Sequence, residues 1–375
     1  MTGLLSDSQK NEAERLLLDL VSVPSPSGKE GAVAEVIRSW MAGHGYSDVK
    51  TDAAGNVWGF VGKGRPTVLF CGHMDTVPGE VPVKVQDGKV HGRGASDAKG
   101  PLAAMLMACH LLRDPGLTIM VLAVVGEESD GRGLKHAMAH GLEADRAVFG
   151  EPSGHRNIVI GYRGRVQATV HFDCDSFHAS SPWTGKSAVQ FALDFITRLS
   201  AVDTSAQTQE KFGSTSVCVT RLCGGESGNV APAHAELTVD IRFPPARTPA
   251  SIAEELKVVA ASMPPEVKTK VWVDEPMNAA ESDQKGPLVK AFRRAVFAAS
   301  GSPAKCVRKT GSGDMNYLIA EKGIDAVTFG PGDTSVSHTQ RESISLDDYF
   351  AAIEVLAKLP EELLKVDGSE GKKEI

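Results

Sequence analysis

The sequence predicts an α/β chain built on a mixed, mostly parallel sheet and interrupted by a β-α-β-β-α-β insert. Three observations lead there. Short apolar, partly β-branched runs at residues 68–71, 117–125 and 147–149 alternate with segments of helical spacing. Residues 161–279 change to a two-residue alternation of polar and apolar side chains, the pattern of strands with one covered face. After residue 280 the first style returns. One discontinuous domain, 1–160 with 280–375, is therefore predicted around an inserted domain at 161–279.

The N-terminal stretch "MTGLLSDSQKNEAERLLLDLVSVPS" reads as an amphipathic helix. It has no basic start followed by an unbroken apolar run, so no signal peptide is expected. Next, "VLFCGHMDTVPG" starts as a buried strand and runs into His73 and Asp75. In "PLAAMLMACHLLRD", Leu102, Leu106, Cys109 and Leu112 fall on one helical face. Pro101 sits in that helix's first turn, where its missing N–H costs nothing. Within the insert, "RVQATVHF" places Val166, Ala168, Val170 and Phe172 on one side, and "AELTVDIRF" does the same with Leu237, Val239, Ile241 and Phe243. "KSAVQFALDFITRLSAV" and "SIAEELKVVAASM" have helical spacing, and "STSVCVTRL" and "EVKTKVWV" supply the remaining strands. Their order is the ferredoxin-like one of two split βαβ units. Then come a helix, "PLVKAFRRAVFAAS", a buried strand, "DAVTFG", and a helix, "SLDDYFAAIEVLAKL", with Ser345 and Asp348 in capping-box positions. The polar tail "VDGSEGKKEI" is expected to fray.

At 375 residues the chain exceeds what one ordinary core needs. Its 42% hydrophobic and 23% charged residues are globular composition. A net charge of −7 gives no basic footprint for nucleic acid, and no apolar run reaches the roughly 18–20 residues of a membrane span. The six cysteines form no CxxC pair, and Cys71, Cys109 and Cys218 lie in apolar segments. Reduced, mostly buried thiols in a cytoplasmic protein are expected.

Open α/β sheets bind ligands beyond the carboxyl ends of their strands. The apolar runs deliver His73 and Asp75, then Glu127 and Glu128, then Glu151, and later His338; Asp97 stands just before the Leu102 helix. Singly each is weak, since a His-x-Asp, a Glu pair or a Glu after Gly is commonly a solvated loop or a cap. Together, five carboxylates at one sheet edge would repel unless a cation stood among them. Two His with several carboxylates and no thiolate suit Zn²⁺, Co²⁺ or Mn²⁺. The count suits two ions with one bridging carboxylate, an arrangement that can ready a water and polarise a carbonyl. Adjacent Glu127 and Glu128 must diverge, so one can bind metal while the other takes the proton of water.

Taken with these residues, "GHMDTVP", "GRGASDAKGPLAA", "GEESDGRG", "GEPS" and "SHTQRE" make the sequence resemble the M20 metallopeptidase family. That family includes acetylornithine deacetylase, succinyl-diaminopimelate desuccinylase, aminoacylase and glutamate carboxypeptidase. The motifs stand in the family's order and span nearly the whole chain. The resemblance implies a zinc-aminopeptidase-like catalytic domain holding two divalent ions, Zn²⁺ or Co²⁺. It also implies that the insert is a lid through which the chain forms a homodimer. On this resemblance, His73, Asp97 and Glu151 would hold one ion and Asp97, Glu128 and His338 the other. Glu127 would be the general base, and Asp75 would hydrogen-bond the second nitrogen of His73. Arg163 in "GYRGRV" would contact a substrate carboxylate. His178 in "FHASSPW" would cross the dimer to polarise the scissile carbonyl. Asn229 and Arg242 would line the pocket. Gly311, Ser312 and Gly313 in "TGSGDMN" would receive a carboxylate on backbone N–H groups.

"DAKGPLAAM" departs from the "DMKGG" of acetylornithine and succinyl-diaminopimelate enzymes. It resembles a subgroup that releases lysine or ornithine from the amino-group carrier protein LysW in lysine and arginine biosynthesis. There the amino acid is an amide on the carrier's C-terminal glutamate. Such a partner is acidic, and Lys99, Arg163, Arg165 and Lys186 could dock it. The alternatives are a small-molecule deacylase acting on acetylornithine, acetyl-lysine or succinyl-diaminopimelate, an M20 dipeptidase or carboxypeptidase, and an inactive binding homologue. Retention of Glu127 and of all five ligand positions counts against the last.

Overall fold

In the computed structural model, which describes residues 5–205 and 209–370, the chain begins with α1 (Asp7–Val21), α2 (Gly31–Gly43), β1 (Ser47–Thr51), β2 (Val57–Val61) and β3 (Thr67–His73). It continues through β4 (Lys84–Gln86), β5 (Lys89–His91), α3 (Lys99–His110), β6 (Thr118–Val124), α4 (Arg132–Ala139), β7 (Arg146–Gly150) and β8 (Asn157–Tyr162). Then come β9 (Gly164–Asp173), α5 (Ala188–Leu199), β10 (Ser216–Gly224), β11 (His234–Phe243), α6 (Pro249–Ala261), β12 (Lys268–Met277) and β13 (Ala280–Glu281). The last elements are α7 (Pro287–Ser300), β14 (Lys305–Lys309), α8 (Asp314–Lys322), β15 (Asp325–Thr328), β16 (Ser343–Ser345) and α9 (Leu346–Glu370).

These elements form two units. The first takes the chain up to Ile160, then Ser282–Val307 and everything from Glu321; the second is Gly161–Glu281 with Arg308–Ala320. Residues 308–320 thus group with the insert, not with the 280–375 segment as the sequence boundary has it. The reason is local: Arg163 N–H donates to Gly311 O at 3.1 Å and Arg163 Nε to Thr310 O at 2.9 Å.

In the first unit the strands run β1-β2-β6-β3-β7-β15-β8. The central β6, β3, β7 and β15 are mutually parallel, and antiparallel pairs flank them. A parallel centre puts the carboxyl ends of these four strands on one edge. Helix α3 is buried on every side from Lys99 to Cys109, packed against β3, β6, α1 and α9. Leu102, Leu106 and Cys109 of the predicted face are buried, their neighbours on the other sides are buried too, and Leu112 lies beyond the helix's end. Helix α9 runs past residue 359 and contains Pro360. A proline costs a helix about 3 kcal/mol, but Leu363 and Val366 beyond it are each only 1% exposed, and their burial offsets that cost. Residues 366–370 of the expected frayed tail belong to this helix, and 371–375 lie outside the described residues. Only half of the expected capping box forms. Asp348 N–H lies 3.5 Å from Ser345 Oγ, while the Asp348 carboxylate accepts the N–H groups of His155 and Gly332.

The second unit carries a four-stranded antiparallel sheet of order β10-β11-β9-β12, the ferredoxin-like arrangement. Burial alternates along β9 and β11, and α5 and α6 cover the apolar face. Edge strand β10 is exposed over most of its length. Cys218 is therefore exposed rather than buried, whereas Cys71 and Cys109 are buried; none of the six cysteines is in a disulfide. Among the described residues no helix is long and apolar enough to cross a membrane.

Candidate metal centre

Strand β3 ends on His73, 2% exposed. Its Nδ1 lies 2.9 Å from the main-chain carbonyl of Asp75, which can only accept, so Nδ1 donates. Nε2 is then the atom that faces Asp97 Oδ1 at 3.3 Å and Glu151 Oε1 at 3.5 Å. Asp97 precedes α3, and Glu151 follows β7 directly. From the loop after β15, His338 adopts φ +62°. Its Nε2 reaches Glu128 Oε1 at 2.8 Å and Asp97 Oδ2 at 3.5 Å. Two groups result, His73–Asp97–Glu151 and Asp97–Glu128–His338, each with one potential ligand atom per residue within 4.8 Å of the others. Asp97 belongs to both and turns a different oxygen to each imidazole.

The Asp75 carboxylate does not take the expected partner. Its Oδ1 is 3.6 Å from His73 Nδ1, too far for a hydrogen bond. It accepts instead the N–H groups of Glu127 at 3.0 Å and Glu128 at 3.1 Å, and the Ser27 hydroxyl at 2.7 Å. The turn after β6 leaves donors that need acceptors, and the Asp75 side chain supplies them while its carbonyl orients the ring. Ser27 carries no sequence signal of its own; only the folded loop brings it to Asp75.

The electrostatics of the cluster favour a cation. Burial disfavours charge on His73, yet Asp75 and Asp97 beside it and the charges of Glu151 and Glu127 hold its pKa well above the imidazole range. Burial likewise works against Asp97, but His73 and His338 keep its carboxyl below the ordinary range. Glu128 is pushed up by burial, with the Asp97 charge adding to it. For Asp75, burial is outweighed by the adjacent imidazole, the Ser27 hydroxyl and the Glu127 N–H, which hold it at about 2. The field is thus negative enough to draw a proton onto a buried imidazole. A divalent ion could take that proton's place at Nε2, the nitrogen left free by the Nδ1 bond. Nitrogen and oxygen donors without thiolate fit Zn²⁺ or Co²⁺.

The remaining candidates lie in the second unit. Arg163 is 7% exposed and spends Nε and Nη1 on the carbonyls of Thr310, Lys211 and Ser214. Through Nε its guanidinium braces the 310–313 loop. Arg242 donates to Asp240 through Nε and Nη2 and to Ser312 Oγ, at 3.1 Å, through Nη1. Ser312 Oγ donates to Arg163 O at 2.6 Å. In the expected nest of Gly311, Ser312 and Gly313, the N–H of Gly313 is already taken by Asn316 Oδ1 at 3.0 Å. His178 bridges to Val230, and Ala179 N–H donates to Asn229 O, so the two pocket candidates His178 and Asn229 share one pair of loops. The basic side chains expected to dock an acidic partner are engaged elsewhere. Lys99 is buried, donates to Val23 O at 2.6 Å and is pulled down to about 8 by that burial. Arg165 pairs with Asp240, and Lys186 with Asp194.

Residues 69–362 match the model of peptidase family M20/M25/M40. The chain belongs to this family. Among curated relatives, the [LysW]-lysine hydrolase of Deinococcus radiodurans is 34% identical over 92% of this chain and 95% of its own. The [LysW]-lysine/[LysW]-ornithine hydrolase of Sulfurisphaera tokodaii is 29% identical over 96% and 98%. Among solved structures, aminopeptidase PepT of Bacillus cereus superposes with a TM-score of 0.80 at 22% identity, covering 95% of this chain and 99% of that one. A dinuclear metal-binding M20 peptidase of Bacillus subtilis gives 0.73 at 15%, covering 96% and 99%. This M20 chain is accordingly a hydrolase of the metallopeptidase fold, and both candidate ligand groups converge at one edge of its parallel sheet.

Proposed function

We propose that this M20 chain is a dinuclear-metal amidohydrolase that releases lysine or ornithine from the carrier protein LysW, in lysine and arginine biosynthesis. The single observation that carries the metal reading is Asp97, whose Oδ1 and Oδ2 turn to different imidazoles, His73 and His338. His73, Asp97 and Glu151 would hold one ion and Asp97, Glu128 and His338 the other, Zn²⁺ or Co²⁺ by donor chemistry. Bound there, the ions would polarise the amide carbonyl and make the attacking water more acidic. Glu127 takes the proton of that water and returns it to the leaving amine. Asp75, by binding the N–H groups of Glu127 and Glu128, fixes the turn that separates base from ligand.

For the substrate, support comes from the printed activities of the relatives and from the "DAKGPLAAM" wording. In the second unit, Arg242, Ser312 and Asn229 would bind the acyl-amino-acid end, and His178 would act across a homodimer formed through that unit. The exposed edge strand β10 and the position of His178 in an exposed loop suit that reading. Six cysteines without a disulfide suit a reducing cytoplasm. One observation favours the small-molecule deacylase reading: Lys99 and Arg163 are buried and bonded to main-chain carbonyls, while Arg165 and Lys186 pair with Asp240 and Asp194.

The test is purified protein with Zn²⁺ or Co²⁺, given LysW-linked lysine, LysW-linked ornithine, acetylornithine, acetyl-lysine and succinyl-diaminopimelate. Release from the carrier-linked substrates is expected to exceed that from any free acylated amino acid. The reverse preference would overturn the carrier assignment in favour of the deacylase.

A further inference from the structure

We propose that Glu342, four residues after His338, is a positioning residue that sets the bridging orientation of Asp97. It rests on the reading of Asp97 as a shared ligand. Glu342 is fully buried at 0% exposure. Its Oε1 accepts three backbone N–H groups of one loop, those of Gly94 at 3.0 Å, Ser96 at 3.2 Å and Asp97 itself at 3.1 Å. Its Oε2 accepts Arg93 Nη1 at 2.6 Å. Its carbonyl accepts Gly92 N–H at 3.3 Å.

Burying a carboxylate is costly unless charge and hydrogen bonds compensate it, so its place here calls for a reason. The loop from Gly92 to Asp97 has no helix or strand to fix it. At Gly94 it turns through φ +85°, and a Cβ there would meet Thr76 Cγ2 at 2.9 Å. Such a loop presents several N–H groups to one side, and one anionic oxygen can gather them. Gathering them fixes the main chain at Asp97, and so the direction of both carboxylate oxygens.

Two further contacts join this loop to the segment that carries His338. Arg93 Nη1 donates to Thr339 O at 3.3 Å. Ser96 Oγ donates to Asp333 O at 3.2 Å and accepts Asp333 N–H at 3.1 Å. Glu342 therefore sets the bridging carboxylate and the second imidazole together, without touching either ligand's side chain.

The test uses the full chain, stripped with a chelator and titrated with Co²⁺ by calorimetry and by the visible absorption of the bound ion. Glu342→Gln keeps side-chain size but sets an amide N–H₂ against either Arg93 or the three N–H groups. The expected result is an unchanged near-ultraviolet circular dichroism spectrum with affinity for both ions about 10- to 100-fold weaker and an altered Co²⁺ absorption. With metal in excess, kcat should fall while KM holds. Arg93→Gln, which spares the three N–H contacts, should shift affinity in the same direction by less. It decides the matter should Glu342→Gln fail to fold. Parent-like affinity and absorption in the folded Glu342→Gln, or in Arg93→Gln where only it folds, would overturn the proposal. Asp97→Asn is run in parallel. If the parent binds two ions and Asp97→Asn loses them while Glu342→Gln does not, only the positioning role fails. If the parent binds none, the metal reading fails and takes this role with it.

Discussion

In the first unit Asp97, Glu128 and Glu151 gather around the imidazoles of His73 and His338. In the second, Asp240 lies between Arg165 and Arg242, and Arg163 is surrounded by the carbonyls of Thr310, Lys211 and Ser214. Both are clusters of partly buried charge, but the balance differs. Asp240 is flanked by two permanent cations, and burial notwithstanding, Arg242 and Arg165 keep its carboxyl below the ordinary range. At the sheet edge Asp97, Glu128 and Glu151 face imidazoles, which must be protonated to serve as counter-charge. The comparison separates a brace from a site. Where the partner of a carboxylate is a permanent cation, convergence stabilises structure; where it is an imidazole, a divalent ion can take the proton's place.

That contrast can be broken most decisively at Asp97. Asp97→Asn should abolish uptake of both divalent ions and reduce turnover to background, a loss beyond the roughly 10²- to 10⁴-fold of a general base. Metal content by mass spectrometry and initial rates would read it, and full metal content with normal rates would remove the shared-ligand role. A smaller effect is expected from Glu127→Gln. There turnover should fall by about 10²- to 10⁴-fold with metal content intact; unchanged activity would exclude Glu127 as the base.

In the second unit Asp240→Asn should leave metal uptake unaltered. It should destabilise the fold by on the order of 1–3 kcal/mol, less than for a fully buried pair because the guanidiniums are partly exposed. The depressed pKa of Asp240 gives the sign of its pH dependence. Stability from the ionised carboxylate is present above the unfolded pKa of about 3.9 and is lost as pH falls through the lower folded value. The deficit of Asp240→Asn against the parent in urea midpoints should therefore shrink below about pH 4. A deficit constant down to pH 2 would mean that packing, not charge, is what Asp240 provides.

The two clusters also differ in how far they could be read from the sequence. His73, Glu128 and Glu151 announce themselves because each follows an apolar run closely, and a parallel sheet carries such ends to one edge. Asp97, just before α3, and His338, in the loop after β15, are legible only together with them. The second-unit residues lie on alternating strands or in loops, where an arginine is equally suited to a substrate or to a nearby carbonyl. Arg163 reads as a substrate contact, and only the fold shows that it also braces the 310–313 loop. Asp75 is placed correctly beside His73, but the split between its carbonyl, which takes the ring, and its carboxylate, which takes two backbone donors, depends on the geometry of the turn after β6.

By itself the sequence determined the α/β class, the ferredoxin-like order of the insert, membership of the M20 family and the residue types gathered at the sheet edge. Periodicity and strand ends are local properties, written in the order of side chains. Only the tertiary structure decided which oxygen of Asp97 faces which imidazole, that residues 308–320 join the second unit, that α3 is buried all round and that α9 continues through Pro360. Each of these depends on what packs against the segment or accepts its hydrogen bonds, and those partners lie far away along the chain.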